Sequence, residues 1–561
     1  MAEVVGTAIG VVGLLAQLFD GCVKAYGYFT TAQQLDADSQ RLLCKVRIEE
    51  MRLVVWGREW GVAEGKLERH LLGSHGGATM STTNGHDRGP TRSFGEGNPQ
   101  LRALAMQILE QLHTTVTDVG KLKEVYGLSD PTETKGKTTS TKNGTNSRSW
   151  KKDFTLKSRW VIADKDKFTT LLRDLKDFND GLERLFPPSQ LPSFQRAWTH
   201  QLLESAQRDV KQLSLLETAS SETYPHLTNT ANLKKLRINL DAAPQSTFKP
   251  THALKVPREI LSIPDIVSPR NLEGNRCHAH HDTTGDVLIE WVLYDPHALD
   301  ERLAHLRRMD DLARMMHSAS TRHPDLHSID CIGYTDDALN SRYGLVYRAP
   351  SASSSSLHAL ISSSDLKTPD LDARVRLATT LAVATWSLHS LDWLHKSLCS
   401  SNVLFFPSIF STAAHGATVA SALAPDISNP YLTGFDASRP EIETALSVAP
   451  RNPSITNLHR HPCSLRGLPA TKAYDVYSLG LVLLEIGLWK ILQNYHKTHY
   501  SAERWRDKIV LPVLVPNLGA KMGPRYRDVV EMCLSVEEGT NSKEAGELME
   551  VVVSRLESIR V

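Results

Sequence analysis

Sixteen consecutive residues without a charge, Val4 to Phe19 (VVGTAIGVVGLLAQLF), stand near the start of a 561-residue chain. As a helix rising about 1.5 Å per residue the run would reach about 24 Å, while a bilayer core demands about 20 apolar residues. Two fates fit such a segment: a buried helix in a soluble bundle, or an apolar helix held in one state and released into a membrane in another. Gly6, Gly10 and Gly13 thin one face, and Gly6-x-x-x-Gly10 is the spacing that lets helices approach closely in lipid. Soluble core helices lose about 1 kcal/mol for each glycine against alanine, which favours the second fate. The residues expected to enter lipid are Val4, Val5, Gly6, Ile9, Gly10, Val11, Val12, Gly13, Leu14, Leu15, Leu18 and Phe19. Asp20 and Lys24, four apart with the acid first, extend the helix to about Phe29.

Four further stripes at helical spacing follow. They run through Leu42 to Val54, through Leu101 to Leu122, through Phe168 to Leu185 and through Phe194 to Leu213. Each stripe needs an apolar partner, so residues 1–215 read as an all-α bundle. Polar stretches over 73–99 and 129–150 have no apolar period and are expected as disordered insertions. Residues 130–159 carry eight basic side chains against three acidic ones, a composition suited to a solvated linker or to anionic lipid.

The whole chain is nearly neutral, with 64 Lys plus Arg against 63 Asp plus Glu, so no global basic field invites nucleic acid. Its seven cysteines are scattered and never spaced as CxxC, the usage of a reducing compartment. Glu3 and the missing basic region ahead of the apolar run argue against export. The cytoplasm is the expected location, with recruitment to the plasma membrane on activation.

The opening AEVVGTAIGVVGLLAQLFDGC and the run from Arg52 to Val62 (RLVVWGREWGV) resemble the HeLo domain of fungal prion-inhibition and cell-death proteins. The resemblance covers about residues 1–215. It implies a helical bundle that self-associates and whose first helix is expelled into membrane lipid on activation.

A polar linker over 216–250 leads to a different grammar over 251–561. Asp286–Tyr294 reads as a strand, Leu299–Met316 as a charged helix, and Leu326–Tyr334 and Arg342–Tyr347 as two more strands. A long helix is expected from Leu371 to Leu394. After it, His395-Lys396-Ser397-Leu398-Cys399-Ser400-Ser401-Asn402 resembles the catalytic loop of protein kinases, and Leu432-Thr433-Gly434-Phe435-Asp436 stands where the magnesium motif belongs. Asp475-Val476-Tyr477-Ser478-Leu479-Gly480 is similar to the start of the buried kinase helix, and Arg525–Leu534 to a later helix of the same lobe. The fold class expected is therefore multidomain: an all-α bundle followed by an α+β, bilobal, protein kinase-like domain.

The chemistry of phosphoryl transfer is missing from these motifs. The base position is Ser397, the metal-binding acid position is Gly434, and only Asn402 remains of the metal pair. No lysine lies between Lys255 and Lys367, so Val292 stands near the place of the phosphate-pairing Lys, and no glycine-rich loop precedes the strand. Asp436 reads as a turn residue rather than a replacement acid, and Asp475 as a structural one. The resemblance thus implies a pseudokinase with His395 as a relic, no catalytic residues and no cofactor, ATP included. Cys277–His281 and His459–Cys463 hold zinc-ligand types without the pair-and-pair spacing of a closed site, so no metal is expected.

Together these point to a membrane-targeting effector of cell-death or heterokaryon-incompatibility type, restrained by a dead kinase-like domain and triggered by an upstream signalling protein. An active atypical kinase and a soluble signalling scaffold are the alternatives. Nucleic acid is not an expected partner.

Overall fold

Aspartates start several helices of the N-terminal half. Asp118, Asp164 and Asp209 each accept backbone N–H groups of the first turn that follows, and so satisfy donors that no helical carbonyl can reach. A computed structural model describes residues 15–26, 36–67, 99–129, 161–188, 191–242, 249–263, 275–317, 319–407, 425–435, 439–440 and 458–560. The chain divides into two units, Met1–Ala231 and Asn232–Val561.

The first unit is a helical bundle. Ala37–Glu59 packs against Lys165–Leu185, Leu191–Ala206 and Val210–Ser220, and Pro99–Thr117 packs on Lys165–Leu185. The periodic stripes explain this core: Phe168, Leu171, Leu175 and Leu182 are buried along one helix and Phe194, Trp198 and Leu202 along another. Two stripes break where the sequence read one helix. The first stops at Thr117 because Asp118 caps a separate short helix, Val119–Glu124. The change of phase leaves Val119 exposed. The second breaks at Gln207, whose φ is +49°, before Asp209 caps Val210–Ser220.

The insertions expected over 73–99 and 129–150 lie outside the described residues except at their edges, where Pro99 begins a helix and Leu128–Ser129 pairs with Val161–Ile162. Residues 216–250, expected as a polar linker, are largely helical. One helix runs through Ser220 and another covers Pro225–Ala242. The polar composition misled because Lys234 and Arg237 are buried by specific partners: Asp392 accepts from Lys234 at 3.0 Å, and Arg237 lies over the Trp393 ring.

The second unit begins with a five-stranded sheet, antiparallel throughout. Its order is Leu261–Ser262, Arg276–His281, Gly285–Leu293, Arg342–Arg348, Cys331–Asp337. Strand alternation sorts its residues. Cys277, Ala279, Val287, Ile289 and Trp291 turn one face into an apolar core, which sends Arg276, Leu288 and Glu290 to the other face. The helix Leu299–Met316 has the bounds expected from its period and packs on Cys331–Asp337 and Arg342–Arg348.

Beyond the sheet come Leu371–Ser390, Lys472–Leu488, Pro524–Leu534 and Ser542–Glu557. Every residue of Lys472–Leu488 is buried, so this helix is the axis on which the others pack. The helix expected through Leu394 ends at Ser390, since Asp392 takes a φ of +55° and Trp393–Leu394 joins Arg439–Pro440 as a strand. The strand expected from Leu326 starts only at Cys331, after a 3₁₀ turn over Pro324–Leu326.

Candidate functional site

Two places in the molecule concentrate the residues that the sequence singled out. The first is the N-terminal helix. Val4, Val5, Gly6, Ile9, Gly10, Val11, Val12, Gly13 and Leu14 lie outside the described residues. From residue 15 to residue 26 the chain is helical, and Leu15, Cys22, Ala25 and Tyr26 are buried in the bundle. Leu18 and Phe19 are half-buried.

The Phe19 ring leans on Trp56, with centroids 6.5 Å apart. It occupies the gap over Gly57, where a Cβ would run into three of its ring carbons. Gly21 likewise admits the His113 ring. The described part of the helix is therefore seated in the bundle mainly by apolar contact, with the Cys22 thiol donating to the Leu109 carbonyl oxygen at 3.8 Å. Among the described residues no helix is long and apolar enough to cross a membrane.

A polar hub stands elsewhere in the same bundle. Arg52, 5% exposed in its side chain, donates to Glu49 at 3.0 Å, Asp180 at 2.8 Å, Glu183 at 2.6 Å and the Tyr224 hydroxyl at 2.6 Å. The Asn179 amide also donates to Glu49. Sequence reasoning missed this hub, although Arg52 at the head of the apolar run Leu53-Val54-Val55-Trp56 was the available signal.

The second place lies in the second unit, where Asp475, His395, Asn402, Gly434, Arg276 and Glu290 meet. Asp475 sits in the first turn of the buried helix, and its carboxylate accepts the backbone N–H groups of His395 at 2.7 Å and Lys396 at 2.8 Å. Burial alone would raise its pKa. His389 at 3.4 Å, the charge interaction with His395 and the Lys396 N–H outweigh burial and hold it below the usual carboxylate value. Asp475 thereby fixes the turn at Lys396, whose φ is +64°. Burial lowers the pKa of His395, and its Nε2 meets the Thr433 carbonyl oxygen at 3.0 Å.

Asn402 is occupied on both sides. Its amide nitrogen donates to the Ser397 carbonyl at 2.6 Å and to Ser397 Oγ at 3.0 Å, and its oxygen accepts from Arg276. Arg276 also donates to the Ser401 carbonyl at 2.9 Å and to Glu290 Oε1 at 2.9 Å. Glu290 accepts in addition the Gly434 N–H at 2.9 Å and the Tyr347 hydroxyl at 3.2 Å. Gly434 has a φ of +86°, and a Cβ on it would overlap the Asn402 amide.

The two carboxylates of this cluster, Glu290 and Asp475, thus spend their oxygens on internal donors. Ser397 Oγ, at the position of the kinase-like base, cannot take a proton from a hydroxyl at neutral pH as a carboxylate can. Val292, expected near the phosphate-pairing place, lies on the same strand face as Glu290, and Glu290 is the residue that reaches the cluster. Asp436 lies outside the described residues. The two His/Cys stretches are split among other partners: His278 bonds Ser354, Trp291 donates to Cys277, and His459 bonds Glu485. Among the described residues no three His, Cys, Asp or Glu are grouped to hold a metal.

Residues 6–216 match the HeLo family, described as prion-inhibition and propagation. The match covers the N-terminal bundle and ends inside the helix Val210–Ser220. The helix 15–26 and the Arg52 hub both fall within the HeLo match except for Tyr224. No curated protein matches the chain.

Proposed function

We infer that this protein is a cell-death effector of heterokaryon-incompatibility type, in which the HeLo region acts on membrane lipid and the second unit is a pseudokinase that restrains it. The observation that carries the reading is the seated helix 15–26. It continues the uncharged run Val4–Phe19, lies in the HeLo match, and is held in the bundle by rings and aliphatic side chains. Contacts of that kind are exchangeable for lipid, because acyl chains are as apolar as leucine.

The pseudokinase reading draws support from several features of the second unit. In chain order its strands stand 1-2-3-5-4, and the helix Leu299–Met316 lies between the third and fourth. Kinases carry the phosphate-pairing Lys on the third strand, and here Glu290 on that strand accepts the Gly434 N–H directly and meets Asn402 through Arg276. Asp475 holds the 395–396 backbone, a structural duty that survives the loss of catalysis. With Ser397, Gly434 and Glu290 in place of base, metal ligand and cation, phosphoryl transfer has no preorganised groups.

In this reading the protein waits in the cytoplasm, receives a signal from an upstream protein, self-associates through the HeLo bundle and moves to the plasma membrane. Dye leakage from vesicles containing anionic lipid tests it, with residues 1–231 compared with the full chain. Greater leakage by residues 1–231 is the expected result. Equal leakage by both would remove the restraint, and no leakage by either would favour a soluble signalling scaffold.

A further inference from the structure

The contacts of Arg276 have a feature that the loss of catalysis does not explain. A decayed active site need only lose its working groups, yet here a buried Arg276–Glu290 pair on the sheet also reaches across to the loop 395–402. Arg276 stands on the second strand directly opposite Glu290 on the third. Both side chains are almost fully buried, at 7% and 3% exposure.

The guanidinium serves three acceptors at once: Glu290 on the sheet, the Ser401 carbonyl, and the Asn402 side-chain oxygen. Glu290 in turn takes the Gly434 N–H, so the segment 431–435 is drawn onto the same point. Tyr347 on the fourth strand in sheet order fixes the second oxygen of Glu290. The sheet and the loop 395–402 are thus joined at one planar cation whose donors are matched by acceptors from both sides.

We propose that Arg276 is a built-in cation that clamps the sheet onto the loop 395–402 and the segment 431–435, so that the two halves of the second unit are held closed without any ligand. In an ATP-binding enzyme of this shape the bridging charge arrives with nucleotide and metal; in this chain it is covalently part of the second strand. The clamp depends on the forked geometry of arginine, because a lysine ammonium is a point charge that cannot present a planar set of donors to Glu290, Ser401 and Asn402 together. Only the nucleotide arm of the test below borrows from the pseudokinase reading; the clamp itself rests on contacts within the unit.

Hydrogen exchange of the full chain, read by mass spectrometry, decides the matter. In Arg276→Ala, exchange over residues 285–293 and 395–405 is expected to quicken about tenfold or more, while the HeLo helices keep the wild-type rate. Arg276→Lys is expected to approach the alanine variant, and it alone decides the issue if the alanine variant does not fold. Magnesium-ATP is expected to leave wild-type exchange in both segments unchanged. Wild-type rates in Arg276→Ala, or in Arg276→Lys, would overturn the clamp, whereas protection of these segments in the wild type by magnesium-ATP would overturn only the statement that closure needs no ligand. A phosphoryl-transfer assay run alongside keeps the two readings apart, since turnover with the exchange pattern as expected would sink the pseudokinase and spare the clamp.

Discussion

Gly57→Ala is the sharpest probe of the seated N-terminal helix, because local and tertiary effects pull in opposite directions. Gly57 lies within Ala37–Glu59, where alanine is worth about 1 kcal/mol over glycine on helix propensity alone. The new methyl group, however, would occupy the space of three Phe19 ring carbons, so the ring has to leave its place against Trp56. Losing half the burial of a phenylalanine costs about 1 to 1.5 kcal/mol, and the misfit adds about 1 kcal/mol or more.

The net expectation is a loss of about 1 to 2 kcal/mol, or roughly 2–8 °C in the melting of the HeLo region. In a Phe19→Ala background the obstruction is gone. There Gly57→Ala should stabilise by about 1 kcal/mol, a rise of about 2–4 °C. Calorimetry of the four proteins in a double-mutant cycle reads this inversion of sign directly. If Gly57→Ala stabilises the wild type as much as it stabilises Phe19→Ala, the two residues do not touch and the seated helix is refuted. In the proposed function the same variant also leaks more dye from anionic vesicles than the wild type.

Restoring the acid with Gly434→Asp is expected to yield no magnesium-dependent phosphoryl transfer and to cost at least about 1 kcal/mol, since φ is +86° and the Cβ meets Asn402; radiolabel transfer and thermal melting check the two halves of this statement. Asp475→Asn should destabilise the second unit by about 2–4 kcal/mol, because an amide NH₂ would face one of the N–H groups of His395 and Lys396; denaturant unfolding measures it, and an unchanged midpoint contradicts it. Burial, with the charge of Arg506, pulls His461 down to about 4. The unfolded chain then binds a proton that the folded one refuses between about pH 6.5 and 4, so stability falls by up to about 3 kcal/mol as the pH drops through that window. His461→Phe should flatten the slope while keeping a ring against Tyr474.

The helices were legible where one apolar stripe faces one core. Leu299–Met316 carries its bounds in its own period, and the stripe from Phe168 to Leu182 names its buried residues. Legibility ended where burial depends on distant polar partners. Lys234 and Arg237 look like linker residues until Asp392 and Trp393, about 150 positions away, supply a charge and a ring. The cluster in the second unit divides the same way. His395, Asn402, Gly434 and Asp475 could be picked out by their order along the chain. Arg276 and Tyr347 could not, since their tie to Glu290 exists only through strand pairing and the meeting of the sheet with the loop. Glu290 did leave one trace, a lone acid in the apolar strand Val287–Leu293.

The Arg52 hub sorts the joints of the N-terminal bundle into two kinds. Ala37–Glu59 and Lys165–Leu185 are bolted together by a cation with acids from both helices, and prising them apart would strand a buried charge at a cost of about 3–5 kcal/mol. The joint of helix 15–26 with its neighbours is mainly apolar instead: Leu15 and Ala25 are buried, Phe19 lies against Trp56, and the Cys22 thiol reaches the Leu109 carbonyl oxygen. Water tightens such a joint and hydrocarbon loosens it, while the bolted pair resists both. In the proposed function a bundle built this way has a direction of failure, and the first helix is the piece expected to come away while the rest stays whole.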